Sequence, residues 1–142
     1  MNKPIFEKKL IYEAILPNLQ ALTSEIISAL ERFDCSAKLL SKVNISVDEI
    51  FTNICSYAYP SGTGNVEISI NVYDEPGRIV IQFSDEGIPY NPLEKSNPDV
   101  TLSADERPIG GLGIFLVKKM MDEIDYKYCE GKNVLTILKC IE

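Results

Sequence analysis

Between Val66 and Phe83 the chain alternates apolar and polar residues almost without interruption: Val66, Ile68, Ile70 and Val72, then Asp74-Glu75-Pro76-Gly77, then Ile79, Ile81 and Phe83. Successive side chains of a strand point to opposite faces, so the pattern commits both arms to one buried and one wetter face. The turn between them makes the pair an antiparallel hairpin. Other elements must cover the buried face. Pro17 suits the first turn of a helix in which Leu19, Leu22, Ile26, Leu30 and Phe33 recur at helical spacing. A second helix, starting near Ser36 or Lys38, carries Leu39, Val43, Val47, Ile50, Phe51, Ile54 and Ala58 and ends before Pro60 and the Ser61-Gly62-Thr63-Gly64 turn.

Residues 7–15 read as a first strand. Downstream, Leu112, Leu116, Val117, Met120 and Ile124 form a further helical stripe, and a last hairpin turns at Glu130-Gly131-Lys132-Asn133 into a strand over 134–138. The stretch from Tyr90 to Pro108 is polar, contains Pro92, Pro98 and Pro108, and keeps no period, so we read about 90–109 as a lid. This order is not a repeating βαβ series. It predicts an α+β chain, a two-layer α/β sandwich whose mixed, mostly antiparallel sheet is covered on one face by helices. At 142 residues, one domain spanning 1–142 is expected.

Composition removes several chemistries. The chain has no histidine, which excludes Ser-His-Asp and Cys-His catalysis, histidine-ligated metals and a phosphohistidine relay within it. Its net charge of −7 gives no general field for a polyanion, so no direct nucleic-acid binding is expected and a protein partner is. Cys35, Cys55, Cys129 and Cys140 are scattered with no C-x-x-C pair, which points to reduced thiols rather than disulfides or zinc. No run of about eighteen apolar residues occurs, and the Met1-Asn2-Lys3-Pro4 start lacks the pattern of a secretory signal. A cytoplasmic location with no membrane contact is the expectation.

Three pieces could carry chemistry. Glu49 and Asn53 stand four apart on the second helix, so they share a face: a carboxylate able to take a proton, and an amide oxygen suited to magnesium. The same pair also suits a solvated helix edge. Asp85 follows the buried alternation of the hairpin and precedes Gly87, so its carboxylate emerges at a strand end where an adenine amino group could donate to it. An Asp-Glu-Gly turn with a local cap reads equally well. Gly110, Gly111 and Gly113 open a helix, where free N–H groups and the helix dipole favour phosphate, or where the chain simply turns. Arg107 just ahead of them is a candidate for the terminal phosphate, and Thr136 in the last strand for a phosphate or a base-bound water. Each has a plain alternative, a solvated arginine and a strand threonine. No G-x-x-x-x-G-K-[ST] occurs, so a P-loop is excluded.

In order and spacing these pieces resemble the GHKL, or Bergerat-fold, ATPases. Glu49-x-x-x-Asn53 matches the N-box, Asp85-x-Gly87-x-Pro89 the first glycine box, and Gly110-Gly111-Leu112-Gly113 the second. Chain length, Pro89 and the phrase Arg107-Pro108-Ile109-Gly110-Gly111-Leu112-Gly113-Ile114 make the chain similar to the bacterial anti-sigma-factor serine/threonine kinases, the RsbW-like branch. The resemblance implies ATP and Mg2+ as cofactors, Glu49 as base, Asn53 as magnesium ligand, Asp85 as adenine reader and the glycines as phosphate cradle. It also implies an anti-anti-sigma STAS-type protein as phosphoacceptor and a sigma factor as the partner sequestered in another state, with a homodimer among the expected assemblies. A binding module that sequesters a protein without phosphorylating it is the alternative.

Overall fold

The computed structural model describes residues 3–94 and 111–141, with side chains of the second stretch from Gly113 onward. The hairpin lies at its centre. Strands β2 (Asn65–Asp74) and β3 (Gly77–Asp85) pair antiparallel, with Val72 opposite Ile79, Ile70 opposite Ile81 and Ile68 opposite Phe83. All six are 1% exposed or less, so the alternation read from sequence does mark the core face. Strand β1 (Phe6–Glu13) joins the free edge of β2, β5 (Lys132–Cys140) pairs with β3, and β4 (Glu123–Cys129) closes the far edge, giving the order β1-β2-β3-β5-β4. Every pairing is antiparallel, which narrows the expected mixed sheet to a purely antiparallel one among the described residues.

Helices α1 (Leu19–Leu30), α2 (Ala37–Tyr57) and α3 (Gly111–Met120) supply the second layer. A 3-10 turn over Leu16–Asn18 containing Pro17 leads into α1. Helix α2 starts where it does because Ser36, in extended backbone, accepts a hydrogen bond from Leu39 N at 3.1 Å and so satisfies an otherwise open donor. It buries Val43, Val47, Ile50 and Phe51 against the sheet, each side chain worth about 1.5–3 kcal/mol when fully removed from water. Ser46 is buried on the same helix at no loss, since its hydroxyl donates to Lys42 O at 2.9 Å. With 21 residues and this much apolar anchoring, α2 holds the groups on its remaining edge rigidly.

Two boundaries differ from expectation. Ile124 falls at helical spacing from Met120, yet α3 ends at Met120 and Ile124 lies in β4 opposite Ile137. Cross-strand pairing wins there: Ile124 and Tyr126 also alternate with Asp125 and Lys127, and Asp122 fixes the entry by accepting Cys140 N at 2.7 Å. The last turn is only Glu130-Gly131, both at positive φ as a two-residue hairpin of this hand requires, so Lys132 and Asn133 already belong to β5. Among the described residues, no helix is long and apolar enough to cross a membrane.

Candidate functional site

A pocket opens between the C-terminal half of α2 and the end of β3. Its apolar walls come from Ile50 and Ile54 on the helix and from Phe83 and Leu135 on the sheet. Asn53, Asp85 and Asn133 add polar groups, and Tyr57, Tyr90 and Tyr126 close it. The space is a slot of about 400 Å³, counting the open solvent at its mouth. The Tyr57 and Tyr90 rings stack at a centroid distance of 5.1 Å and 26° between planes, giving one side of the slot a flat aromatic wall.

Asp85, the last residue of β3, is 6% exposed. Its Oδ1 accepts two hydrogen bonds, from Gly87 N and from Asn133 Nδ2, each at 2.9 Å. Its Oδ2 takes none from a described residue and is the oxygen left for a ligand. Asn133 donates in addition to Ile88 O at 2.8 Å and accepts from Tyr90 N at 3.1 Å and from the Tyr126 hydroxyl. Burial, with negative charge on Asp85 adding to it, pushes the Tyr126 hydroxyl above its ordinary pKa and keeps it a donor at neutral pH.

Gly87 serves this arrangement by being small. A Cβ there would lie 2.3 Å from Ala58 O and 2.6 Å from Ala58 Cβ, and Ala58 O accepts Ile88 N at 3.0 Å. The end of α2 therefore sits directly on the turn that follows Asp85. Gly87→Ala must push backbone against backbone, and a loss of about 1–3 kcal/mol in folding stability is expected from urea denaturation.

Glu49 lies one helical turn before Asn53, and its carboxylate reaches the start of α3: a Cβ built on Gly113 would come 2.5 Å from Glu49 Oε2. Helix α3 begins at Gly111, so Glu49 stands beside free N–H groups of a helix N-terminus. Burial first, and the neighbouring Asp48 charge second, raise the Glu49 pKa above the ordinary carboxylate value. A carboxyl whose folded-state pKa is raised contributes stability below its unfolded pKa and loses it as pH rises through the folded one. Glu49→Gln is thus expected to melt at a higher temperature than the parent at neutral pH, with the difference vanishing as pH falls below the carboxylate range; thermal scans across pH check this.

The structure thus brings Asn53 and Asp85 into one pocket and Glu49 against Gly113. Pro89 is exposed and lies between pocket-lining Ile88 and Tyr90 without lining the pocket itself. Arg107, Gly110 and most of the expected lid lie outside the described residues, as does the Leu112 side chain. Of the stretch expected as a lid, residues 90–94 are described: Tyr90 stacks on Tyr57, and Pro92 is buried at the head of a 3-10 turn. Thr136 does not line the pocket. It pairs with Gln82 on the sheet face away from the helices, where Gln82 Nε2 donates to its hydroxyl at 3.3 Å. Asn133, in phase with buried Leu135 and Ile137, occupies the place on the site side of β5. Strand parity counted from those two residues would have found it.

Residues 13–139 match the family model described as the histidine kinase-like ATPase domain. Serine-protein kinase RsbW of Bacillus cereus (strain AH187) is 30% identical over 100 residues, covering 68% of this chain and 61% of that protein. The protein of the same name from Bacillus mycoides (strain KBAB4) matches to the same extent, so the match spans less than two thirds of these relatives' length. Among solved structures, the RsbU and RsbW domains of Rv1364c from Mycobacterium tuberculosis superpose with a TM-score of 0.68 over 97% of this chain and 33% of that one. At 10% identity this is a likeness of fold.

Proposed function

The chain belongs to the histidine kinase-like ATPase family, and from that premise we propose that it is a cytoplasmic Mg-ATP-dependent serine/threonine protein kinase of a partner-switching circuit. Its acceptor would be a small STAS-type anti-anti-sigma protein, and its sequestered partner a sigma factor. The observation that carries this reading is the convergence of α2 on both halves of a nucleotide site: Asn53 beside the Asp85 slot, and Glu49 against the opening of α3.

The groups present suit an adenine nucleotide. A carboxylate oxygen with no hydrogen-bond partner among the described residues, on a residue only 6% exposed at the end of a slot with apolar and aromatic walls, can accept from an exocyclic amino group of a base held between those walls. Among the described residues no three His, Cys, Asp or Glu side chains gather into a metal site. A magnesium ion held by Asn53 would draw its other oxygens from phosphate and water, which is how magnesium commonly binds. Bound Mg-ATP supplies the transferable phosphoryl group. In this reading Asp85 orients the base, Gly87 and Pro89 shape the turn behind it, and Asn53 fixes the phosphate end. The N–H groups of Gly111, Leu112 and Gly113 face the negative charge, with Gly110 and Arg107 assigned to the same end. Glu49 holds the proton that an acceptor hydroxyl loses, and its raised pKa makes it a better base than an ordinary surface glutamate.

Incubating the protein with Mg-ATP and a serine-bearing STAS-type acceptor, then weighing the intact acceptor, tests the reading. One added phosphoryl group, absent when the acceptor serine is changed to alanine, is the expected result. ATP binding without transfer to any acceptor would leave a nucleotide-dependent binding module in its place.

A further inference from the structure

We propose that Asn133 is a positioning residue that aims the Asp85 carboxylate at the base and pins the 87–90 strap, so that base recognition and strap order depend on one amide. The proposal rests on the ATP reading above and adds a residue that does not touch the nucleotide. A carboxamide has two N–H donors and two acceptor lone pairs, and described neighbours use all four. Nδ2 donates to Asp85 Oδ1 and to Ile88 O; Oδ1 accepts from Tyr90 N and the Tyr126 hydroxyl. Nothing is left over for a ligand, so Asn133 acts through its neighbours.

Those neighbours come from the end of β3, the strap on both sides of Pro89, and β4, while the amide itself sits on β5 at 6% exposure. Buried this far, its hydrogen bonds are not readily replaced by water. The two bonds on Asp85 Oδ1, from Gly87 N and Asn133 Nδ2, fix the carboxylate's rotation and hence where Oδ2 points. The bonds to Ile88 and Tyr90 hold the strap whose Tyr90 ring stacks on Tyr57 at the pocket wall. A hydroxyl residue could not replace Asn133, having one donor where two are used.

Asn133→Asp keeps the shape and both acceptor contacts but replaces the Nδ2 donor with an oxygen facing Asp85 and Ile88 O. The ionisable groups around this position are Asp85 from β3, Tyr126 and Tyr128 from β4, Tyr57 from α2, Tyr90 from the strap and Glu94 from the 3-10 turn, whose charge reaches the Tyr126 hydroxyl; of the two carboxyls, Asp85 is the one hydrogen-bonded to Asn133. Two adjacent carboxylates disfavour double ionisation. ATP affinity of Asn133→Asp at neutral pH should therefore fall about tenfold or more, and recover on acidification as a shared proton restores one donor. Asn133→Ala should be weak at every pH and should speed hydrogen exchange at the Tyr90 amide without nucleotide. Calorimetry across pH reads the first pair of effects and exchange mass spectrometry the last. Parent-like ATP affinity in both variants, or a weak Asn133→Asp that does not recover with acid, overturns the positioning role. If the parent itself binds no Mg-ATP, the ATP reading falls; the pinning of the strap is then decided by exchange alone, and unchanged exchange at Tyr90 in Asn133→Ala overturns it.

Discussion

Glu49→Gln is expected to lower phosphoryl transfer about 10²- to 10⁴-fold, the usual loss on removing a general base, while leaving the dissociation constant for Mg-ATP close to that of the parent. The separation follows from where Glu49 stands. Its carboxylate lies against Gly113, one helical turn before the pocket-lining Asn53, and Glu49 is not among the residues that line the pocket. Glutamine has the same size, so the packing against Gly113 persists and only proton affinity is lost. Gly113→Ala offers a complementary perturbation. The added Cβ meets only the end of a flexible side chain, so the fold should survive while Glu49 is displaced and transfer slows. Single-turnover transfer and ATP titration on both variants check this; full transfer by Glu49→Gln would remove Glu49 as base.

Asp85→Asn is expected to weaken ATP binding about ten- to a hundredfold, with folding stability little changed. The hydrogen bonds dictate which way the new amide turns. Gly87 N and Asn133 Nδ2 are both donors aimed at Oδ1, so the amide oxygen must take that place and its NH2 must take the place of Oδ2. Both internal bonds survive, which preserves the fold. The slot then offers a donor to the donating amino group of adenine, and recognition is lost. Titration calorimetry together with a melting curve separates these outcomes, and undiminished affinity would show that Asp85 does not read the base.

The hairpin and the two covering helices were legible because their periods are clean. The sequence alternates strictly from Val66 to Val72, and α2 carries a continuous stripe from Leu39 to Phe51. The positions of the candidates Glu49, Asn53 and Asp85 were legible for the same reason, since each stands at a fixed phase of a well-patterned element. The last strand was different. Val134, Leu135, Ile137 and Leu138 are all apolar, so local pattern does not choose the core face and leaves the side of Thr136 open. Register settles it: Phe83 opposite Leu135 and Ile81 opposite Ile137 carry β5's odd-numbered residues to the helices and Thr136 outward with Gln82. Asn133 escaped notice because Asn beside Gly and Lys reads as turn chemistry. It is a long-range pairing, Asn133 with Asp85, that makes it part of a site. Tyr57 and Tyr90 likewise meet through a contact across thirty-odd residues that no short window contains.

The account stands most directly on one comparison: titration of the unmodified protein with Mg-ATP and, under the same conditions, with Mg-GTP. An acceptor at Asp85 Oδ2 matches the amino group of adenine and opposes the carbonyl that guanine carries at the same position. Saturable binding of ATP to a single site, with GTP weaker by about tenfold or more, is the predicted result. No saturable heat with ATP, or equal affinity for both nucleotides, would contradict it.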